Sequence, residues 1–319
     1  MPGRRASATT SAGRSNARPP YLDDRATVEA MTAPSLFVVG FGRLGSALAL
    51  GLADAGWKVS AHARSARGRG RLRRLRIPSL PLAGAGDFDL VFLAVPDDKV
   101  SAVAQAVEQY VTRRQVVAHG AGALPLAPLD CVRSRGAHPG SLHPVQALAG
   151  GLFAPGVTAA LDGDRVAVRL LRRAADDLGL VPIRVPEPGR VLYHAAATIS
   201  ANLCMALADM AVEAWVASGA PAERALAALV PLLRGAVENL AMKGLPGALT
   251  GPASRGDAGV VAQQLAALQG DVAEVYRLLS RRLVDVAERG GLDARRAAKV
   301  RAVLRDGRSV HRDVARRRA

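Results

Sequence analysis

The 319-residue sequence predicts a Rossmann-like α/β domain built on a doubly wound sheet of parallel strands, followed by an all-helical domain. Three observations predict it. Short apolar, β-branched runs alternate with helix-length segments through about residue 185, as in parallel strands buried on both faces. After Pro186-Glu-Pro-Gly189 the apolar spacing is helical throughout. Half of the chain is hydrophobic but only 3% is aromatic, so the cores must be built from Ala, Leu and Val. Such cores suit helices and parallel strands better than an antiparallel sandwich.

The first strand is Leu36–Val39. It breaks at Gly40-Phe41-Gly42-Arg43-Leu44-Gly45, and helical spacing resumes through Leu48 and Leu52. In a dinucleotide site the three glycines have separate tasks: a tight turn at Gly40, close approach of a pyrophosphate at Gly42, and close helix–strand packing at Gly45. The helix N-terminus then faces the phosphates. Residues 40–45 are therefore candidate cofactor-binding residues of a Rossmann-like fold. A second strand, Trp57–His62, follows. Where an NAD enzyme places an acid for the ribose hydroxyls, this chain has His62-Ala63-Arg64-Ser65. Arg64 and Ser65 suit a 2′-phosphate, so NADP is expected over NAD. The arginines from Arg67 to Arg76 read as a solvated helix face.

Further strands follow in order. Asp87 to Val95 ends at Pro96, which places Val95 and Pro96 at the carboxyl edge beside the cofactor. Asp97 or Asp98 is expected to cap the helix Lys99–Tyr110. Gln115–His119 delivers His119 to the same edge, as a cofactor contact, and the run Ala137–Gln146 delivers His143. Val157–Leu161 and Val181–Val185, around a helix Arg165–Leu178, extend the sheet. The clearest seam lies near residue 187. Helices are expected at Arg190–Ser218, Ala222–Lys243, Gly259–Leu268, Val272–Arg289 and Asp293–Asp306.

The resulting plan is a disordered basic tail at 1–33, a nucleotide-binding domain at 34–186, a helical domain at 187–306 and a basic tail at 307–319. The net charge of +16 comes largely from arginines in the two tails and in Arg64–Arg76. No aromatics interleave with them, so nucleic-acid binding is expected only as a weak property of the tails. No apolar stretch approaches the roughly 20 residues of a membrane span. Cys131 and Cys204 lie far apart and no ligand spacing for a metal is present, so a reduced, cytoplasmic protein without a metal is expected.

Three segments carry a family resemblance: Gly140-Ser-Leu-His143-Pro-Val-Gln146, Tyr193-His194-Ala-Ala-Ala with Asn202 beyond it, and Leu249-Thr250-Gly251-Pro252-Ala-Ser-Arg255-Gly256-Asp257. Together they resemble the Rossmann-like oxidoreductases whose C-terminal half is domain of unknown function 2520. These are distant relatives of pyrroline-5-carboxylate reductase and, at the cofactor domain, of the F420-dependent NADP oxidoreductases. The resemblance implies a helical domain like the C-terminal domain of 6-phosphogluconate dehydrogenase, a homodimer formed through it, and a small-molecule substrate in the interdomain cleft. It further implies hydride transfer to or from a carbonyl or imine. His194 is the acid–base candidate, and Asn202 would hold a substrate oxygen or nitrogen. His143, Thr250, Arg255 and Asp257 are candidate substrate contacts, with Arg255 suited to a carboxylate and Asp257 to capping the next helix. A nucleotide-binding regulatory or scaffold protein without turnover is the alternative. The glycine after His119, and Gln263-Gln264, depart from the pattern usual in the family.

Overall fold

The computed structural model describes residues 33–305. Apart from Ala33, the expected tails lie outside the described residues. By packing, the chain divides into two compact units, one ending at His194 and one beginning at Ala195.

The first unit alternates strands and helices: β1 Ser35–Val39, α1 Arg43–Asp54, β2 Lys58–His62, α2 Ala66–Arg74, β3 Leu90–Leu93, α3 Val100–Glu108, β4 Val116–His119, α4 Asp130–Ser134, β5 His138–Pro144, β6 Thr158–Gly163, α5 Arg165–Asp177 and β7 Val181–Arg184. They form one seven-stranded sheet in the order β2-β1-β3-β4-β5-β6-β7. All neighbours pair in parallel except β5 and β6, which run antiparallel. Strand alternation feeds two cores. Leu36 and Val38 of β1 join α1 residues Leu48 and Leu52 and α5 residue Leu171 on one face. Phe37 and Val39 join Val100 and Val107 of α3 and Val132 of α4 on the other. A sheet covered on both faces has no solvated side, which is why β1, β3 and β4 are buried at every position.

The strand order reverses at β1, with β2 on one side and β3 on the other. A crevice opens at the carboxyl ends of strands at such a point. Its geometry depends on backbone contact. Gly40 has φ +96°, and a Cβ there would stand 2.5 Å from the Ala94 carbonyl oxygen.

A long helix, α6 Arg190–Ala217, starts in the first unit and continues into the second. The boundary lies within α6 rather than at the Pro186–Gly189 turn, because Arg190 anchors the helix's first turn to the sheet. The second unit continues with α7 Ala225–Gly247, α8 Pro252–Arg255, α9 Ala258–Ala267, α10 Gly270–Arg289 and α11 Ala294–Arg305. The break expected after Lys243 is present: Gly244 (φ 61°, ψ −171°) and Leu245 leave the helical region inside α7. Val261, Leu265, Val284, Val300 and Leu304 form this unit's core.

Two expectations are corrected. Neither Asp97 nor Asp98 caps α3: residues 97–99 form a 3₁₀ turn, no side chain caps the helix, and Asp98 pairs with Lys99 at 2.9 Å. Two helical stretches, Glu187–Ala217 and Ala222–Arg255, are long and apolar enough to cross a membrane by length and composition. Polar His194, Thr198, Ser200 and Asn202 interrupt the first in sequence, but Val191–Ala208 contains no charged residue.

Asp164 fixes the start of α5 beneath the edge of the sheet. Its carboxylate accepts from the Val166 and Ala167 amides at 2.9 Å and pairs with His138 Nδ1 at 2.7 Å. Burial pushes this carboxyl up, but the Ala167 amide and His138 outweigh it and hold it below the usual carboxylate range. Asp164→Ala is expected to cost about 1–2 kcal/mol, as loss of an N-cap does. Urea unfolding would show a lower midpoint at unchanged slope, and an unaltered midpoint would contradict the assignment. Asp164→Asn, which keeps the cap oxygen, should lose much less.

Candidate functional site

The glycine turn has the division of labour its spacing suggested. A Cβ at Gly45 would run into the Gly40 carbonyl oxygen and stand 3.1 Å from Val38 and Ala94, so α1 packs directly on β1 and β3. At Gly42, the N-cap of α1, an added Cβ would meet nothing within 4 Å, and no side chain caps the helix. The first turn of α1 therefore faces open space with its amides unclaimed by any cap, an arrangement suited to phosphate oxygens.

Beside this turn lies a cavity of about 430 Å³ lined by Gly40, Phe41, Arg64, Ser65, Val95 and Pro96, with Lys99 beside them. Arg64 is exposed. Ser65 caps α2, its hydroxyl oxygen accepting from the Gly68 amide at 3.0 Å. Among the described residues no carboxylate lines this cavity. Lys99, which sequence reasoning left as a helix start, adds a second cation at the rim; the signal was a lysine one turn after the Val95-Pro96 strand end. Arg43 points elsewhere, donating to the Leu148 carbonyl at 3.0 Å, and Leu44 packs on Gly120.

His119 does not line the cavity. It has no accessible surface, and its ring spans two backbone groups: Nε2 lies 3.1 Å from the Pro125 carbonyl, and Nδ1 accepts from the Ala121 amide at 3.2 Å. Those partners define the neutral Nε2–H tautomer. The expectation of a cofactor contact is corrected: His119 is a strut holding the 119–125 loop. Burial, offset in part by the Pro125 bond, lowers its pKa to about 4.

Beside that loop a polar cluster forms where the sheet's carboxyl edge meets the start of α6. Arg190 is 1% exposed. It donates to Ser141 Oγ at 2.6 Å and to the Ala121 carbonyl at 2.7 Å, with Asp162 at 4.0 Å. One turn further, Tyr193 Oη lies 3.0 Å from His143 Nδ1, and the His194 ring meets the His143 ring edge-on at 5.5 Å. His194 Nδ1 is enclosed without a partner. A Cβ at Gly122 would collide with it and stand 3.0 Å from His143. Burial, with His194 and Arg190 nearby, lowers His143 to about 4. Burial raises Tyr193 to about 12 despite Arg190. The structure thus brings His143 and His194 together and adds Arg190, not singled out from sequence, and Tyr193, which the sequence offered within the Tyr193-His194 segment but without a role. Arg190 had one signal: a cation at a helix N-terminus opposes the helix dipole, so something else must hold it there.

In the second unit Asn202 and Thr250 are exposed. Arg255 Nε donates to Asp257 at 3.1 Å, and Arg296 reaches the same carboxylate at 3.4 Å. Asp257 occupies the N-cap position of α9, but its side chain makes no cap bond; the two guanidiniums claim it.

Comparison with known proteins agrees with this architecture. Residues 24–144 match the Rossmann-like domain, and residues 157–283 match domain of unknown function 2520. The chain thus carries a Rossmann-like domain followed by a domain of unknown function 2520. No curated protein matches it. Among solved structures, protein TM1727 from Thermotoga maritima is similar over 80% of this chain and 99% of its own, at TM-score 0.63 and 23% identity. BF3122 from Bacteroides fragilis, described provisionally as an NADP oxidoreductase, covers 79% and 98% at TM-score 0.64 and 20% identity. The 1-pyrroline-5-carboxylate reductase of Streptococcus pyogenes covers 87% and 99% at 0.54 and 18%. At these identities the likeness is one of fold.

The two histidines make stability depend on pH. Each is held neutral in the fold, so each takes up a proton on unfolding once the pH falls below the unfolded value near 6.5. Their stabilisation is complete above that value and is lost as pH falls towards about 4. Between pH 7 and pH 5 His119 alone should cost about 2 kcal/mol, and His143 acts in the same direction. Urea midpoints measured across this range should fall; a constant midpoint would refute the neutral assignment.

Proposed function

We propose that this protein is an NADP-dependent oxidoreductase acting on a small carbonyl or imine compound. The observation that carries the reading is the cavity lined by Gly40 and Phe41 of the glycine turn together with Arg64, Ser65 and Lys99, next to the uncapped start of α1 at Gly42. Gly40 to Gly45 would hold the pyrophosphate, Arg64 and Ser65 the 2′-phosphate, and Val95 and Pro96 the adjoining ribose. When bound, the nicotinamide supplies or accepts the hydride. His143, Tyr193 and His194 supply polar, exchangeable groups at the same sheet edge. The fold is shared with an imine reductase from Streptomyces aurantiacus and with a reductive aminase from Aspergillus terreus solved with NADPH, and these relatives support the reaction class.

A homodimer through the helical region belongs to the same reading. Leu192, Leu232 and Met242, on α6 and α7, are 76%, 70% and 74% exposed, and both helices carry many more apolar side chains in contact with solvent. An unpartnered apolar surface of this extent calls for a partner, and a second copy is the simplest. Sedimentation at micromolar concentration should give twice the 33.1 kDa chain mass. A monomer throughout would overturn the dimer.

The cofactor is tested by fluorescence titration. NADPH should bind more tightly than NADH, and Arg64→Ala should weaken NADPH roughly tenfold to a hundredfold, the value of a charge-assisted phosphate contact. NADH affinity should change little. Equal weakening of both would remove Arg64 from the phosphate site, and failure of both nucleotides to bind would remove the proposal.

A further inference from the structure

His194 is the obvious acid in this cluster, but its surroundings oppose that role. Its Nδ1 is enclosed with no partner, hard against the Gly122 backbone. Among the described residues no partner of Nδ1 fixes the ring's tautomer or aims it as a proton donor. Tyr193 is placed differently. Among the described residues its hydroxyl meets one side chain, His143, at 3.0 Å, with the two rings edge to face at 5.8 Å and 90°. A phenol can accept from one group while donating to another.

We propose that Tyr193 is the proton donor of the reaction and that His143 is the positioning residue that resupplies it. This rests on the reading of the protein as a carbonyl or imine reductase. His143 donates its Nδ1–H to the Tyr193 oxygen, which leaves the Tyr193 O–H free for the substrate heteroatom. As hydride adds to carbon, the electron pair of the C=O or C=N bond moves to oxygen or nitrogen. That atom takes the Tyr193 proton, so one O–H bond breaks while a new O–H or N–H bond forms. The Tyr193 oxygen takes the Nδ1 proton of His143, and His143 Nε2 accepts one from solvent. The imidazole ends neutral, as its other tautomer, so neither buried ring retains a charge. The nearby Arg190 opposes an imidazolium and favours a transient phenolate, the combination this relay uses.

Two measurements on the full-length protein test the assignment. Nitrogen-15 NMR of labelled histidine reads the pair without any substrate: Tyr193→Phe should shift the His143 Nδ1 signal and its tautomer balance. NADPH oxidation is then followed over 2-methyl-1-pyrroline and a panel of keto acids. Tyr193→Phe should lower kcat about a hundredfold, within the range for a general acid, with KM changed far less. His143→Ala should lower kcat by about tenfold or more, and added imidazole should restore part of it, which a merely structural role would not allow. An unmoved His143 signal, or near-wild-type kcat in Tyr193→Phe, overturns the donor role alone. A wild-type protein that binds NADPH but turns over nothing in the panel removes the reductase reading, and the donor role with it.

Discussion

A guanidinium buried to 1% exposure at the first residue of a helix is an expensive arrangement, and much of the site depends on it. Burying a cation costs several kcal/mol unless hydrogen bonds and an opposite charge compensate. Arg190 has two strong hydrogen bonds, to Ser141 and to the Ala121 carbonyl, and a distant carboxylate, Asp162 at 4.0 Å. Its Nε has no partner. The compensation is incomplete, and burial lowers its pKa despite Asp162. In return, one side chain ties β5 and the loop after β4 to the first turn of α6. Residues three and four positions on share a helix face. Tyr193 and His194 therefore arrive beside His143 because Arg190 has fixed where α6 begins.

The cofactor crevice rests on a different constraint, backbone against backbone. Gly40 touches the Ala94 carbonyl and Gly45 touches Gly40, so β1, α1 and the end of β3 are in contact without intervening side chains. The one glycine of the three with room around it is Gly42, at the uncapped start of α1, while Gly40 lines the cavity. Packing leaves the crevice a fixed shape, with its cations Arg64 and Lys99 on segments outside that contact.

This difference explains what could be read from the sequence. The glycine turn, the parallel strands and the helical second half were legible because each is set by local spacing: period two, period three to four, or a glycine at a fixed offset. The break of α7 after Lys243 was legible for the same reason. The reversal of β6 was not, since an apolar run carries no sign of direction. Asp257 and Asp98 were misread as caps because guanidinium and ammonium partners outbid backbone amides, and those partners are evident only in three dimensions. His119 looked functional at a strand end, yet the carbonyl of Pro125 and the amide of Ala121 use both its nitrogens. Arg190 looked like an ordinary helix residue and Tyr193 was only part of the Tyr193-His194 segment, and the contacts of both come from strands about fifty residues earlier.

The charge pattern adds a last step. Arginine dominates this chain, but among the described residues the arginine acting on the paired rings is the buried Arg190. His143 and Tyr193 are driven by burial towards their neutral forms. A substrate recognised there by charge would meet the cost of desolvation without a countercharge at hand. A neutral C=O or C=N group would meet hydrogen-bonding partners and no such penalty. Any carboxylate on the substrate would have to find its cation elsewhere. A cluster that resists ionisation is poorly built to hold charge and well built to pass a proton along.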